Sequence, residues 1–187
     1  MPYPIERKLV IAVASSALFD LRESDKVFSE EGPKAYKEYQ EKHLDTFLEK
    51  GVAFPFVRRF LSINDRFSEE QPVEVVLLSR NSAVTGKRVF RSIQHHKLDI
   101  TRAAFMEGKS PYGYIPAFNA SLFLSANESD VVKAIDCGYP AGTVLPTKVV
   151  DDLEDGELRI AFDFDGVIAD DESESVFRDS KIDDFNK

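Results

Sequence analysis

The chain has 187 residues, of which 43% are hydrophobic and 30% charged, proportions that are ordinary for a soluble globular protein with one core. Its formal net charge of −9 disfavours binding to a nucleic-acid backbone, which requires a basic surface. No stretch approaches the roughly 18 consecutive apolar residues that cross a bilayer. These properties predict a cytoplasmic protein with neither nucleic-acid nor membrane partners.

The first apolar run, Leu9 to Phe19, follows two basic residues and has the outline of a signal peptide. A pair of serines interrupts it, and the same pattern returns later in the chain, which a cleaved leader does not explain. The favoured interpretation is therefore a buried strand from Leu9 to Ala14, with a loop from Ser15 to Phe19.

The rest of the first 150 residues alternates between apolar runs and amphipathic stretches. Runs that predict further strands are Val73 to Leu78, Leu98 to Met106, Ser121 to Ser125 and Ala141 to Leu145. Stretches that predict helices are Glu30 to Lys50, stopped by Gly51, then Phe54 to Phe67, Ala83 to His95 and Glu128 to Cys137. This alternation predicts an α/β three-layer sandwich with a mainly parallel, Rossmann-like sheet. The single cysteine, Cys137, excludes an intrachain disulfide and is expected to be a buried structural thiol.

An acidic stretch, Asp151 to Glu157, holds five carboxylates in seven residues and is interpreted as a linker. It divides the chain into a domain at 1–150 and a second segment at 151–187. In that segment Leu158 and the run from Ile160 to Phe162 predict a short buried strand.

Two carboxylates, Asp163 and Asp165, follow this predicted strand directly, and Gly166 turns the chain after them. At about 5 Å and an effective dielectric of about 20, two such charges repel by roughly 3 kcal/mol. A divalent cation offsets that repulsion, and closely placed oxygens together with a phosphate suit Mg²⁺. Asp163 and Asp165 are therefore the candidate metal ligands.

The segment around these carboxylates repeats an earlier one. Residues 11–28 and 160–177, at a constant offset of 149, are identical at six of eighteen positions. This level of identity favours an internal duplication. Ala14 stands where Asp163 stands and Ser16 where Asp165 stands, so the first copy lacks both carboxylates.

The motif carries a resemblance to a known family. FDFDGV, from Phe162, resembles the first motif of haloacid-dehalogenase-like phosphatases. Together with the DESE that begins at Asp171, the AFPFV from Ala53 and the segment Ser121 to Gly138, it is similar to the cytosolic type I 5'-nucleotidases. The resemblance implies a haloacid-dehalogenase-like fold, with 1–150 as a degenerate copy of it. Residues 151–187 are then the beginning of a catalytic copy.

The resemblance also implies a reaction, the Mg²⁺-dependent hydrolysis of nucleoside 5'-monophosphates. Asp163 is the expected nucleophile that forms an aspartyl-phosphate, and Asp165 is the expected general acid and base. Both also contribute to the metal site. In the first copy, Ser125 and Ala126 replace the two adjacent aspartates of the family's last motif.

Two further positions of the first copy match the family only loosely. Ser79 and Lys109 stand near the places of the family's hydroxyl and lysine. They are either relics that bind a phosphate weakly or, as we expect, surface polar residues of a scaffold. The family continues far past this motif, so little or no turnover is expected of the isolated 187-residue chain.

Alternatives remain open at the level of the sequence. One is a non-catalytic regulatory or interaction domain, because the first copy lacks its carboxylates. Another is a phosphatase of the same superfamily that acts on a different phosphomonoester. The preferred nucleotide and the formation of homo-oligomers are also open.

Overall fold

The computed structural model describes residues 7–147 and 151–162. The chain divides into two compact units, Met1–Gly156 and Glu157–Lys187. The described part of the first unit is a sheet with helices around it. In the second unit the described residues are 157–162, and Asp163 and Asp165 lie outside the described residues.

A five-stranded sheet forms the centre of the first unit. Its strands are β1 (Leu9–Ala14), β2 (Val73–Ser79), β3 (Ala103–Phe105), β4 (Ala120–Ser125) and β5 (Ala141–Thr143). They lie in the order β3-β2-β1-β4-β5, and every neighbouring pair is parallel. The predicted α/β class with a mainly parallel sheet is confirmed.

The central strand β1 is covered on both faces, because every residue from Val10 to Ala14 is buried although alternate residues point in opposite directions. On one face, Val10 and Ala12 pack with Phe123 of β4 and with Ala134. β2 is also buried throughout. Continuous apolar runs of this kind are typical of parallel strands covered on both sides.

Within the described residues, six α-helices connect and cover these strands: α1 (Ser15–Leu18), α2 (Arg22–Lys42), α3 (Phe54–Leu61), α4 (Ile63–Arg66), α5 (Gly86–His95) and α6 (Glu128–Asp136). α3 packs on β2, and α6 packs on β4 and β5. The predicted helix from Phe54 to Phe67 is therefore two helices, separated at Ser62. None of the described helices combines the length and the apolarity that crossing a membrane requires.

The predicted helix from Glu30 to Lys50 is displaced towards the N-terminus and lies at Arg22–Lys42. Gly32 has a φ of +84° and kinks it in the middle, a conformation that glycine adopts without strain. After the helix ends, the chain turns back along α5, where the backbone N–H of Leu48 donates to Ser92 Oγ at 2.9 Å. This tertiary hydrogen bond holds Leu48 against α5, in the part of the chain that the charged sequence predicted to be helical.

Gly51 does not stop a helix but lies against α1, the segment that was expected to be a loop. Its N–H donates to the Leu18 carbonyl at 2.9 Å. A Cβ at this position would lie 2.5 Å from the carbonyl oxygen of Ala17. Only glycine allows the two backbones to approach so closely.

Two further expectations are wrong. Cys137 is exposed rather than buried. It follows α6, whose buried face carries Val131 and Ala134, and the turn at the helix end directs it outward with the exposed Ile135. Residues 158–162 contain no strand, and Ile160 and Phe162 are 53% and 67% exposed. An apolar run becomes a strand only where a neighbouring strand accepts its hydrogen bonds, and the described residues show no such pairing for this run.

Candidate functional site

The carboxyl edge of the first sheet is the part of the predicted site that the structure describes. β1 ends there at Ala14, β2 at Ser79 and β4 at Ser125. The internal repeat and the family resemblance predicted missing carboxylates at the ends of β1 and β4, and they placed Ser79, at the end of β2, near the family's hydroxyl. Asp163 and Asp165, the predicted catalytic and metal-binding residues, lie outside the described residues, and their roles stay predictions.

Serine hydroxyls occupy this edge and bond to neighbouring parts of the chain. Ser15 Oγ and Ser79 Oγ are 2.9 Å apart, and Ser79 Oγ also accepts the N–H of Asn81 at 3.1 Å. Ser125 Oγ accepts the N–H of Asn127 at 3.0 Å. All three serines are buried. The hydroxyls therefore tie strand ends and loops together.

Ser79 is thus not the surface residue that the sequence suggested. The parallel register places Ala14 beside Leu78, so that the next residues along the chain, Ser15 and Ser79, meet at the sheet edge. Lys109 is exposed, as expected of a surface polar residue. The structure does not bring Ser79 and Lys109 into a common hydrogen bond among those it describes.

Asp130 on α6 is the polar centre of this edge and was missed by the sequence analysis. Its carboxylate is 3% exposed and receives two hydrogen bonds from Arg80, from Nε at 2.8 Å and from Nη2 at 2.5 Å. The hydroxyl of Ser110 donates to the same carboxylate. Asp130 therefore joins the end of β2, the loop before the 3-10 helix Pro111–Tyr114, and α6.

The charge state of Asp130 follows from these partners. Burial on its own would raise the pKa of the Asp130 carboxyl, but the hydrogen bonds from Arg80 and Ser110 outweigh it and hold the pKa below its ordinary value. The same hydrogen bond raises the pKa of Arg80. The pair is therefore ionised at neutral pH.

A sequence signal for Asp130 did exist. Asp130 and Ala134 are four residues apart and share the buried face of α6. An acidic residue on the apolar face of a helix predicts a buried cationic partner, because an unpaired charge there is costly. The identity of the partner, fifty residues earlier in the chain, was not readable from the sequence.

A cavity of about 710 Å³ also opens at this edge. It is lined by segments that follow β1, β4 and β5, including Ser16, Asp20, Asn127 and Thr147. The chain adds strands on one side of β1 and then, with β4, on the other, so the cavity lies at the topological switch point. Ligands of open α/β sheets bind at such points.

The charges that line this cavity have both signs. Arg22 forms an ion pair with Asp20, and Lys50 lies over the ring of Phe54 at 5.0 Å from its centroid. Burial, and then the charge of Asp20, raise the pKa of Asp25. Among the described residues that line the cavity, the cations Arg22 and Lys50 therefore each have a partner within the protein.

The described residues contain no group of three or more His, Cys, Asp or Glu side chains that could hold a metal ion. The predicted metal ligands therefore remain Asp163 and Asp165, whose surroundings are not described. At the carboxyl edge of the sheet, the structure shows serine hydroxyls and the Arg80–Asp130 ion pair. A metal site at this edge would need several carboxylates that point to one position.

Comparison with known proteins gives the family. A sequence model of the 5'-nucleotidase family matches residues 1–187. Human cytosolic 5'-nucleotidase 1B is 34% identical over 191 residues, covering 98% of this chain and 31% of the human protein. The chain thus spans about a third of the length of this curated relative. The resemblance to the cytosolic 5'-nucleotidases is confirmed, and the chain belongs to the cytosolic 5'-nucleotidase family.

Proposed function

We propose that the whole protein is a cytoplasmic 5'-nucleotidase, which hydrolyses nucleoside 5'-monophosphates to nucleoside and phosphate. The observation that carries this proposal is the family match along residues 1–187, which includes Asp163 and Asp165. The name of the human relative, a cytosolic 5'-nucleotidase, supports both the substrate class and the compartment.

The chemistry follows from two carboxylates in one motif. Asp163 attacks phosphorus, forming an Asp163–phosphate bond while the bond from phosphorus to the 5' oxygen breaks. Asp165 gives its proton to that leaving oxygen, and the nucleoside departs. Asp165 then takes a proton from water, whose oxygen attacks phosphorus and releases phosphate from Asp163. The carboxylate of Asp163 and the backbone carbonyl of Asp165 would hold Mg²⁺, which would neutralise charge on the transferring group.

The strand order of the first sheet supports a haloacid-dehalogenase-like fold for residues 1–150. A parallel five-stranded sheet with its switch point beside β1 puts the end of β1 where such a site would lie. In this copy the corresponding positions are Ala14 and Ser16. Residues 151–187 would begin the catalytic copy, which carries the two aspartates.

The test is a phosphate-release assay on the whole protein with millimolar Mg²⁺ and a panel of AMP, IMP and their deoxy forms. Asp163→Asn is expected to abolish turnover, because an amide is not a nucleophile for phosphorus. Ser16→Ala, at the equivalent place of the first copy, should leave the rate nearly unchanged. Activity of Asp163→Asn within about tenfold of wild type would remove Asp163 as the nucleophile.

A non-catalytic role remains the second candidate for the first unit. The specific observation is that Ser15, Ser79 and Ser125 are all buried and hydrogen-bonded at the edge where a catalytic copy needs carboxylates. We propose that this unit is a scaffold for the catalytic copy.

A sugar phosphate in the same assay panel distinguishes a nucleotidase from a phosphatase of the same superfamily with another substrate.

A further inference from the structure

Two consecutive arginines on α3 and the acidic stretch after residue 150 contact each other. Arg58 and Arg59 lie near the end of α3, a helix whose buried face carries Val57 and Phe60. The sequence analysis interpreted the stretch Asp151 to Glu157 as a linker. Its residues 151–156 lie within the first compact unit.

The side chain of Arg58 binds mainly the backbone carbonyls of this acidic stretch. Its Nη2 donates to the carbonyl of Asp152 at 2.9 Å and to the carbonyl of Asp155 at 3.0 Å. The same nitrogen lies 3.4 Å from Asp151 Oδ1, and Nη1 lies 3.4 Å from the carbonyl of Leu153. One guanidinium therefore gathers oxygens from four of the six residues 151–156.

Arg59 completes the arrangement from the next position of the helix. Its Nη2 is 2.8 Å from Asp151 Oδ1 and 3.2 Å from the carbonyl of Asp152, while its Nε donates to the carbonyl of Asp155 at 3.1 Å. Ser62 Oγ, one turn further on, lies 3.2 Å from the carbonyl of Gly156. The carbonyls of the stretch therefore point inward, towards α3.

Burial shows that these are not loose surface contacts. The side chains of Arg58, Arg59 and Asp151 are only 22%, 17% and 13% exposed. Ion pairs on an open surface are weak because water screens them, whereas the two guanidinium groups and the Asp151 carboxylate are largely withdrawn from water. The planar guanidinium offers several donors in fixed directions, which a lysine ammonium does not.

We propose that Arg58 and Arg59 form a binding surface on α3 for an acidic turn with inward-facing carbonyls, and that residues 151–156 of this chain are its occupant. The first unit therefore extends to Gly156, and the chain leaves it seven residues before Asp163. This inference does not depend on the proposed nucleotidase activity.

Limited proteolysis of the 187-residue chain with a glutamate-specific protease tests the proposal. Cleavage after Glu154 requires the turn to leave α3, because the protease binds an extended stretch of chain. Glu70 lies in an exposed turn outside this contact and provides an internal reference. Mass spectrometry assigns each cut, and the ratio of the rates at Glu154 and Glu70 corrects for any general loss of stability.

In wild type, cleavage after Glu154 should be much slower than after Glu70. The double variant Arg58→Gln/Arg59→Gln should raise the Glu154 rate by about tenfold or more at an unchanged Glu70 rate, because it removes several charge-assisted hydrogen bonds. Arg66→Gln, an exposed arginine on α4, is the matched control and should change neither rate.

A second double variant, Arg58→Lys/Arg59→Lys, separates the geometry of the contact from its charge. It keeps both positive charges but loses the planar guanidinium groups, whose donors have fixed directions. The rate of cleavage after Glu154 should therefore still rise by about threefold or more. Wild-type rates in this lysine variant would overturn the role assigned to carbonyl binding. A wild-type chain cut equally fast at both sites, or a glutamine variant without effect at Glu154, would overturn the proposal altogether.

Discussion

Arg80 and Asp130 form a two-point ion pair between the end of β2 and α6, with Nε donating to Oδ2 at 2.8 Å and Nη2 to Oδ1 at 2.5 Å. The carboxylate is 3% exposed, whereas the arginine side chain is 41% exposed. The acid therefore depends on this partner for its charge, while the arginine also reaches water. The pair links the end of β2 to α6 at the carboxyl edge of the sheet. Because one partner is buried and the other is partly exposed, losing the acid and losing the arginine should change stability by different amounts.

Replacing the buried acid should be costly. Asp130→Asn removes the ion pair and leaves Arg80 without its carboxylate, so the free energy of unfolding should fall by about 2 kcal/mol, the range for hydrogen bonds to charged groups. Arg80 can turn to solvent, which keeps the loss below that of a fully buried pair. Urea unfolding measures the change. Asp136→Asn, exposed on the same helix, should stay within about 0.5 kcal/mol of wild type.

The same pair makes stability depend on pH. The pKa of Asp130 is lower in the folded chain than its ordinary value, so its stabilising contribution is present in full above the unfolded pKa. That contribution is lost as the pH falls through the lower, folded value. The gap in unfolding midpoint between wild type and Asp130→Asn should therefore be largest near neutral pH and shrink below about pH 4. A gap that grows in acid would contradict this assignment.

Gly51 should tolerate no side chain. A Cβ there would meet the Ala17 carbonyl oxygen at 2.5 Å and the Phe19 nitrogen at 2.7 Å, and both are backbone atoms. Gly51→Ala should therefore lower the free energy of unfolding by about 2–3 kcal/mol, the upper part of the range for overpacking. Gly113→Ala is the matched control, because nothing lies within 4 Å of its Cβ. Equal effects at the two positions would show that segment 49–53 does not press against α1.

The exposed thiol of Cys137 should react without unfolding. A thiol reagent such as dithionitrobenzoate should titrate one thiol per folded chain at a rate close to that of the denatured chain. The Cys137→Ser variant should show no reaction, since the chain has one cysteine. If the thiol became reactive only after denaturant was added, the cysteine would be buried.

The proposed chemistry predicts a dependence on the second aspartate and on the metal. In the whole protein, Asp165→Asn should lower turnover by at least about a hundredfold, as expected when a general acid and base is lost. A chelator should abolish activity, and added Mg²⁺ should restore it. Lys109→Ala, in the scaffold unit, should leave turnover nearly unchanged, and a large loss there would give the first copy a direct role in the reaction.

The sequence by itself determined the central part of the sheet. β1, β2 and β4 were predicted within a residue or two, because each is a short apolar run rich in Val, Leu, Ile or Phe and is followed by polar residues. The alternation of such runs with helices was sufficient for the α/β class. The FDFDGV motif, together with the DESE, AFPFV and Ser121 to Gly138 segments, was likewise sufficient for the family, since each segment matches as a continuous stretch of sequence.

Only the tertiary structure decided which polar groups meet. Ser79 became buried because the strand register brings it to Ser15, and Asp130 of α6 could be charged inside the protein because Arg80 reaches it from the end of β2. Ile160 and Phe162 have the composition of a strand but are exposed in the structure. Local composition sets what a segment can form, but its partners come from distant parts of the chain, and burial, ion pairs and strand pairing all require those partners.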